Sequence, residues 1–238
     1  MKRASKISYR TYFNDRLKAV SFHGKSTYPL YVQLTHARKT RFFKSSAFEL
    51  FSHPRFAQAS NPKDSPPTLA FVIEREIALL RYVVKQCQDA FSLDRFKKAY
   101  SFYGMDLCVA TEVAFRTYLQ EFLDTKGAPN FGKALAHENP PFVLFDLLRE
   151  AERVMAPSLY AELTTHLSQA PPYLELHAFT RHVKPWPDLV LTNLEWEQQD
   201  TQASFVRYVQ QNHPGKEAVR VVEQLEWWLD QHKKSLRS

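Results

Sequence analysis

An α+β fold, with a small N-terminal three-stranded antiparallel sheet followed by a mostly α-helical region, is predicted by three features of this 238-residue sequence. Apolar and polar residues alternate in short segments up to residue 45, as strands require. Residues 57–69 hold three prolines among Ser, Asn and Asp, which breaks regular structure. Beyond them the apolar residues follow a helical period. We therefore predict a basic β module over 1–56, a linker over 57–69, and a helical domain over 70–238 with a candidate division near 170.

Strands are predicted over 7–13, with an extension over 16–22, over 28–35 and over 39–45. In the strand over 28–35, one face carries Tyr28, Leu30, Val32 and Leu34 and can pack inward. The opposite face then presents Tyr31, Gln33 and Thr35, whose polar groups suit base edges or phosphates. In the third strand Lys39 and Arg41 share a face, because side chains alternate with period two.

Helices are predicted over 73–90, 92–100, 106–123, 140–157, 158–168, 201–212 and 216–234. Ser92 is the expected N-cap of the second helix, since its side chain can accept from a free backbone N–H. The first helix has a predicted buried stripe, consisting of Ile73, Ile77, Leu80, Val84 and Cys87. Residues 170–199 contain four prolines, and the alternation from 173 to 179 favours a short strand there.

The last predicted helix carries an apolar face made of Ala218, Val221, Val222, Leu225, Trp228 and Leu229. Trp227 lies about 100° around the helix from its neighbour and should be more exposed. Core packing is the default interpretation for this tryptophan pair. The alternative is a protein partner or self-association through Trp227 and Trp228, because exposed tryptophan is enriched at interfaces.

The positive charge is concentrated at the N-terminus. Residues 1–56 hold twelve Lys and Arg but only two acidic residues, whereas the remainder holds 20 basic and 23 acidic residues. A clustered positive field attracts phosphate backbones, and the release of condensed counterions favours binding. Aromatic residues are interleaved with these charges and add stacking and hydrogen bonding. The segment therefore predicts contact with nucleic acid, and a solvated basic face without a partner is the alternative.

The sequence also indicates the cellular compartment of the protein. No stretch reaches the run of about twenty apolar residues that spans a bilayer, so no membrane partner is expected. The basic N-terminus runs into Tyr9, Arg10 and Tyr12, where a secretory signal would need a continuous apolar segment. Cys87 and Cys108 lie on separate predicted helices and are expected to be buried, reduced thiols. We expect a cytoplasmic protein without a cofactor or a metal.

The run from Ser26 to Thr35 (STYPLYVQLT), followed by Arg38-Lys39-Thr40-Arg41-Phe42-Phe43, resembles the arm-type DNA-binding domain of tyrosine recombinases, the integrases of phages and transposons. Helix 73–90 and the following FSLDRFK segment resemble the element that leads into the helices of the recombinase core-binding domain. The resemblance covers about the first hundred residues. It implies a three-stranded sheet that packs on a helix and docks into duplex DNA, in a protein linked to a mobile element or its control.

Two departures from the recombinase pattern limit what the resemblance implies. Ser45-Ser46-Ala47 stands where the family has a glycine after the third strand. The catalytic set of Arg, Lys, His-x-x-Arg and nucleophilic Tyr is not found, since His177 and Arg181 are one residue too far apart and only Tyr208 follows. The other common catalytic motifs are also missing, so we predict that the chain is not an enzyme.

The predicted nucleic-acid-binding residues are Arg10, Lys18, Lys25, Tyr31, Gln33, Thr35, Arg38, Lys39, Arg41 and Lys44. The resemblance to arm-type domains implies duplex DNA as the favoured partner, and a small sheet that can enter the major groove is consistent with it. Single-stranded nucleic acid or RNA is an alternative, since bases stack on aromatic rings. A different class of function also stays open, in which an adaptor or inhibitor uses the basic face to meet an acidic protein.

Overall fold

The computed structural model describes residues 7–53, 56, 65–88, 91–136, 143–213 and 216–235. In this part of the chain the strands are β1 (Ser8–Phe13), β2 (Val20–Phe22), β3 (Lys25–Thr27), β4 (Leu30–His36) and β5 (Lys39–Lys44). The helices are α1 (Ser46–Phe51), α2 (Leu69–Cys87), α3 (Leu93–Tyr103), α4 (Leu107–Thr125), α5 (Pro129–Leu135), α6 (Leu144–Val154), α7 (Pro157–Leu167), α8 (Tyr173–Val183), α9 (Asn193–Trp196), α10 (Gln199–Asn212) and α11 (Ala218–Ser235). The predicted α+β class is confirmed. Among the described helices none is long and apolar enough to cross a membrane.

The chain separates into two compact units. The first comprises Met1–Met105 and Trp186–Asp188, and the second comprises Asp106–Pro185 and Leu189–Ser238. The first unit therefore contains the sheet together with α1, α2 and α3. The domain boundaries that we predicted at residue 56 and near residue 170 stay predictions. Most of the predicted linker lies outside the described residues.

The three-stranded sheet has the antiparallel order β1-β4-β5. Its register pairs Gln33 of the central strand with Arg10 on one side and with Phe42 on the other. The predicted extension of the first strand is instead a separate hairpin of β2 and β3. The chain leaves the sheet at Asn14, which donates its backbone N–H to the carbonyl of Pro29 (2.9 Å).

The inner face of the sheet forms the core of the first unit. Leu30, Val32 and Leu34 of β4 are buried, as their alternation predicts. On the same face Phe43 of β5 contacts the ring of Phe96 in α3, with centroids 5.7 Å apart. Burial of these side chains supplies the main driving force for folding of a sheet this small, since a bare hairpin or ribbon is marginal in water.

Side-chain caps begin several of the helices. The N-caps that accept from a helical backbone N–H are Ser45, Thr68, Ser92, Asp106 and Thr192. The predicted cap at Ser92 is thereby confirmed. Ser45 begins α1 directly after β5. A side-chain cap of this kind contributes about 1 kcal/mol to helix stability.

In the second unit a continuous apolar cluster joins α4, α6, α7 and α8. The centre of α4 supplies Phe115, Leu119 and Phe122, all of which are buried. The face predicted for the last helix is confirmed at Leu225 and Leu229, which are buried. Trp227 is 59% exposed, also as predicted.

Besides the extension of the first strand, two predictions about the helical region need correction. Residues 173–179 form part of α8 and not a strand, because Tyr173, Leu176 and Phe179 fall on one helical face that is buried in the second unit. The predicted stripe of α2 is confirmed at Leu80 and Cys87, whereas Ile73, Ile77 and Val84 are only half-buried. The buried face of α2 also includes Val72, Leu79, Val83 and the carboxylate of Glu76. Local periodicity fits either stripe, and packing against the sheet and α3 selects between them.

Candidate nucleic-acid interface

The outer face of the three-stranded sheet is built from nine side chains that the register arranges in three rows across the strands. The rows are Ser8, Thr35 and Thr40, then Arg10, Gln33 and Phe42, then Tyr12, Tyr31 and Lys44. Directly paired residues in an antiparallel sheet point to the same face, so all nine lie opposite the buried aliphatic side chains. We call this set the outer face. It carries two cations, three aromatic rings and no carboxylate.

Arg10 and Gln33 form the best-defined polar contact on the outer face. The Nε and Nη2 atoms of Arg10 both donate to Oε1 of Gln33, at 3.0 and 2.8 Å. The guanidinium carbon also lies 5.9 Å from the ring centroid of Tyr12. A neighbouring row is held by the hydroxyls of Thr35 and Thr40, which are 2.9 Å apart. These contacts restrict the side chains before any ligand binds.

Aromatic rings cover the rest of the outer face. The centroid of Tyr12 lies 6.3 Å from that of Tyr31 and 6.4 Å from that of Phe42, the latter in an edge-on arrangement. Phe42 is 57% exposed, although it lies in a regular strand. An apolar ring held in water on a sheet is available for stacking or for contact with a methyl group.

Lys44 is the last residue of β5 and lies on the outer face in one row with Tyr12 and Tyr31. Its Nζ lies 3.3 Å from Oε1 of Glu49, and both side chains are largely exposed. An exposed pair of this kind contributes about 1 kcal/mol or less, so the ammonium can turn to another anion at little cost.

The structure brings together five of the predicted binding residues and separates the other five. Arg10, Tyr31, Gln33, Thr35 and Lys44 lie on the outer face. Lys39 and Arg41 pair with His36 and Leu34, so they project from the opposite face, at the exposed edge strand β5. Lys18 precedes β2, Lys25 begins β3, and Arg38 lies in the turn between β4 and β5. One docking surface therefore cannot engage all ten residues in the same way.

The turn that carries Arg38 is strained. Ala37 and Arg38 have positive φ angles of 48° and 64°, the pattern of a two-residue type I′ hairpin turn. Asn and Gly are the residues that adopt this conformation without cost. At the corresponding turn between β2 and β3, glycine occupies the second position, Gly24. Strained backbone is retained most often where a side chain has a function, which is an argument for Arg38 as a contact.

Behind the sheet a buried polar cluster joins three segments of the first unit. Glu76 of α2 is fully buried, and its Oε2 accepts from the hydroxyl of Ser45 (2.6 Å) and the backbone N–H of Ala47 (3.1 Å). Its Oε1 accepts from the hydroxyl of Tyr100 in α3 (2.6 Å). The same hydroxyl accepts from the backbone N–H of Ser46 (2.8 Å). We call Glu76, Ser45 and Tyr100, with these backbone groups, the buried cluster.

The ionisation of the buried cluster is shifted by its surroundings. Burial raises the pKa of Glu76, and the hydrogen bonds from Ser45 and Tyr100 oppose that shift without cancelling it. Burial also raises the pKa of Tyr100 well above its usual range, and the adjacent charge of Glu76 adds to the effect. The tyrosine is therefore a neutral donor, and the cluster positions the β5–α1 corner that supports the outer face.

His177 and Arg181, which nearly match a recombinase motif, both contact other side chains of the second unit. Arg181 forms a two-pronged ion pair with Asp146, at 2.7 and 2.8 Å. The His177 ring stacks on that of Phe145, with centroids 4.5 Å apart. Tyr208 lies against Phe179 and His182. In the described residues no group of three or more His, Cys, Asp or Glu side chains is arranged to hold a metal.

Comparison with protein-family models, curated proteins and solved structures gives no match for this chain. The candidate interface therefore rests on its own residues and geometry. Sequence reasoning left Tyr12 and Phe42 out of the predicted binding set, although both alternate in phase with Arg10 or Lys44. It missed Glu76 as well, and the available signal was a carboxylate spaced three or four residues from Val72, Leu79 and Leu80.

Proposed function

We propose that this chain is a non-catalytic DNA-binding protein that uses the outer face of its sheet to meet duplex DNA. The observation that carries the proposal is an exposed sheet face with Arg10, Lys44, three aromatic rings and no carboxylate. A sheet of this size fits the major groove, where basic and aromatic side chains can contact base edges and phosphates. The resemblance to recombinase arm-type domains supports a role with a mobile element. Two buried cysteines that are not joined by a disulfide support a location in the cytoplasm.

Further cations surround the proposed surface. The described N-terminal segment, residues 7–53, contains eight Lys and Arg but only Asp15 and Glu49 as acids. Lys39 and Arg41 on the edge strand are placed to contact a phosphate backbone that passes beside the sheet. Phosphate contacts hold a protein in register and make affinity fall steeply with salt, whereas base contacts provide sequence preference.

Single-stranded nucleic acid is the second candidate ligand, and the exposure of Phe42 favours it. Three rings on one sheet face can stack unpaired bases, each worth about 1–3 kcal/mol in single-strand binders. The rings here meet at tilted or edge-on angles, and Arg10 is held in their midst by Gln33. Such a surface suits base edges in a groove better than a continuous stack, so duplex DNA is the primary proposal.

The test is a fluorescence anisotropy titration of the full chain with duplex DNA, single-stranded DNA and RNA of matched length at two salt concentrations. We expect the duplex to bind most tightly and its affinity to fall with salt. The double variant Arg10→Ala/Lys44→Ala should weaken binding while circular dichroism stays unchanged, because both side chains are exposed.

A matched control variant is Arg81→Ala/Lys85→Ala, which removes two exposed cations from α2 and leaves the sheet intact. It should keep most of the duplex affinity. Deletion of residues 1–57 is a poorer test, since it would uncover the faces of α2 and α3 that pack on the sheet. No affinity for any of the three nucleic acids near physiological salt would contradict the proposal and favour an acidic protein partner.

A further inference from the structure

We infer that Arg10 reads a guanine in the major groove and that Gln33 is the residue that positions it. This inference rests on the proposed function, and it adds the base and the side chain that recognises it. It starts from the pair that Arg10 and Gln33 form at the centre of the outer face.

The hydrogen-bond pattern leaves one edge of the guanidinium available. Gln33 Oε1 accepts from Nε and Nη2, which occupies the side edge of the Arg10 fork. The terminal edge, formed by Nη1 and the second proton of Nη2, has no hydrogen-bond acceptor among the described residues. Two parallel donors in this arrangement match two acceptors that lie side by side, and a planar fork presents them rigidly.

In duplex DNA the major-groove edge of guanine offers such a pair, O6 and N7, and no other base does. Adenine would present its amino group to one of the two donors and leave it unpaired. Phosphate also accepts two hydrogen bonds, but it lies at the rim of the groove and not at its floor. Arg10 lies in the middle row of the outer face, on the edge strand β1 and directly beside the central strand β4, so a sheet that docks through this face brings it to the base edges.

Preorganisation is the contribution of Gln33. A free arginine side chain loses rotamer entropy when it binds, which lowers its affinity for a base. Here the Gln33 amide and the Tyr12 ring, 5.9 Å from the guanidinium carbon, already restrict it. The folded sheet therefore orients the guanidinium before DNA binds, which lowers the entropy lost on binding.

The experiment selects binding sites from a random duplex library with the wild-type chain, Arg10→Lys and Lys44→Gln. We expect the wild type to enrich a guanine at one position. Arg10→Lys keeps the charge but lacks the rigid fork, so it should bind DNA with weaker enrichment at that position. Lys44→Gln should weaken binding to all sequences and keep the same enriched guanine, since it removes a cation and no base contact.

Base analogues in the selected duplex then identify the contacted atoms. Replacement of the guanine by 7-deazaguanine removes N7 and should lower wild-type affinity about tenfold. Replacement of the guanine by inosine keeps O6 and N7 and should leave the wild-type affinity unchanged. Arg10→Lys should distinguish the three duplexes less than the wild type does. If Arg10→Lys enriches the same guanine as strongly as the wild type, or if the 7-deazaguanine duplex binds the wild type as tightly as the guanine duplex, the inference is wrong.

Variants of Gln33 test its positioning role. Gln33→Met has no acceptor for Arg10 and should lose the discrimination between guanine and 7-deazaguanine. Gln33→Glu still accepts from both guanidinium nitrogens, so it should keep that discrimination while its charge lowers affinity for every sequence. A merely structural cross-strand pair would alter stability and leave the analogue effect intact.

The two proposals fail in different ways. If the wild type binds no duplex in the anisotropy titration, the proposed function is wrong and the selection has no starting point. If the wild type binds duplex DNA but enriches no guanine, DNA binding stands and the reading role of Arg10 is overturned.

Discussion

Two polar clusters lie on opposite sides of the same sheet, and they differ in how completely their hydrogen bonds are satisfied. In the buried cluster both carboxylate oxygens of Glu76 have donors within the first unit. On the outer face Arg10 and Gln33 contact each other, yet the terminal edge of the guanidinium is turned to solvent. A saturated polar cluster specifies a fold, whereas an ordered cluster with donors to spare can bind a ligand.

The largest effect is expected from Glu76→Ala, which would leave Ser45, Ala47 and Tyr100 without their acceptor. Each buried donor that loses its partner costs about 1–3 kcal/mol, so we expect a loss of about 3 kcal/mol or more in the free energy of unfolding. Urea unfolding measures this loss of stability. Glu74→Ala on the exposed face of the same helix is the control, with a change within about 0.5 kcal/mol. Equal effects of the two substitutions would show that the buried cluster does not stabilise the sheet–helix corner.

Glu76→Gln sharpens the comparison through pH. Because the folded pKa of Glu76 is raised above its ordinary value of 4.5, its contribution is fully present below pH 4.5 and is lost as the pH rises through the folded pKa. Glutamine can keep the hydrogen bonds by accepting from Ser45 and Ala47 and donating to Tyr100, whose hydroxyl can turn to the carbonyl of Lys44. We expect the stability of the variant relative to the wild type to increase between about pH 4 and pH 8. A constant difference over that range would contradict a raised pKa.

Ala37→Asn/Arg38→Gly tests whether the strained turn is kept for binding. Asn and Gly adopt the positive φ angles of this turn readily, so thermal unfolding should show a gain of about 1 kcal/mol in stability. The variant also removes a cation, so duplex affinity should fall. Ala37→Asn alone is the control, because it relieves part of the strain and keeps Arg38. A double variant that gains stability and keeps full affinity would remove Arg38 from the interface.

Lys39→Ala/Arg41→Ala separates the two faces of the sheet in their effect on binding. Both side chains leave the edge strand on the face opposite Arg10, so we expect them to contact phosphates and not bases. The fold should be kept, affinity should fall equally for all duplexes, and the slope of log K against log salt should decrease by about 2. Anisotropy titrations over a salt series provide the slope. A change in the selected sequence would assign base contacts to the edge strand as well.

The smallest effect on stability is expected from Trp227→Ala in the second unit. Its side chain is 59% exposed, whereas Leu225→Ala on the buried face should cost about 2–5 kcal/mol. If Trp227 binds a second copy of the chain, sedimentation velocity should show a dimer that the substitution removes. If the wild type is monomeric, Trp227 does not mediate self-association, and it contacts either a different protein or no partner.

The fold class and much of the candidate site could be predicted from residue order alone. Alternation in β4 identified the buried face and, with it, Tyr31, Gln33 and Thr35 on the other side. Ser92 and the exposure of Trp227 also followed from local rules, because a cap and a helical face depend on neighbours within a few residues.

Contacts between distant segments were decided by the tertiary structure. Only the register shows that Gln33 pairs with Arg10 and Phe42, while Lys39 and Arg41 fall on the opposite face. Alternation gives each strand two faces but does not say which faces join, since that depends on how strands 23 residues apart align.

The same limit applies to α8, where an alternating pattern and a helical face coincide and burial selects the helix. It applies to Glu76, whose partners lie 24 to 31 residues away. The sequence by itself therefore determined where the positive charge and the strands lie. Folding decided which of those cations share a surface, because a surface is made by residues that only packing and register bring together.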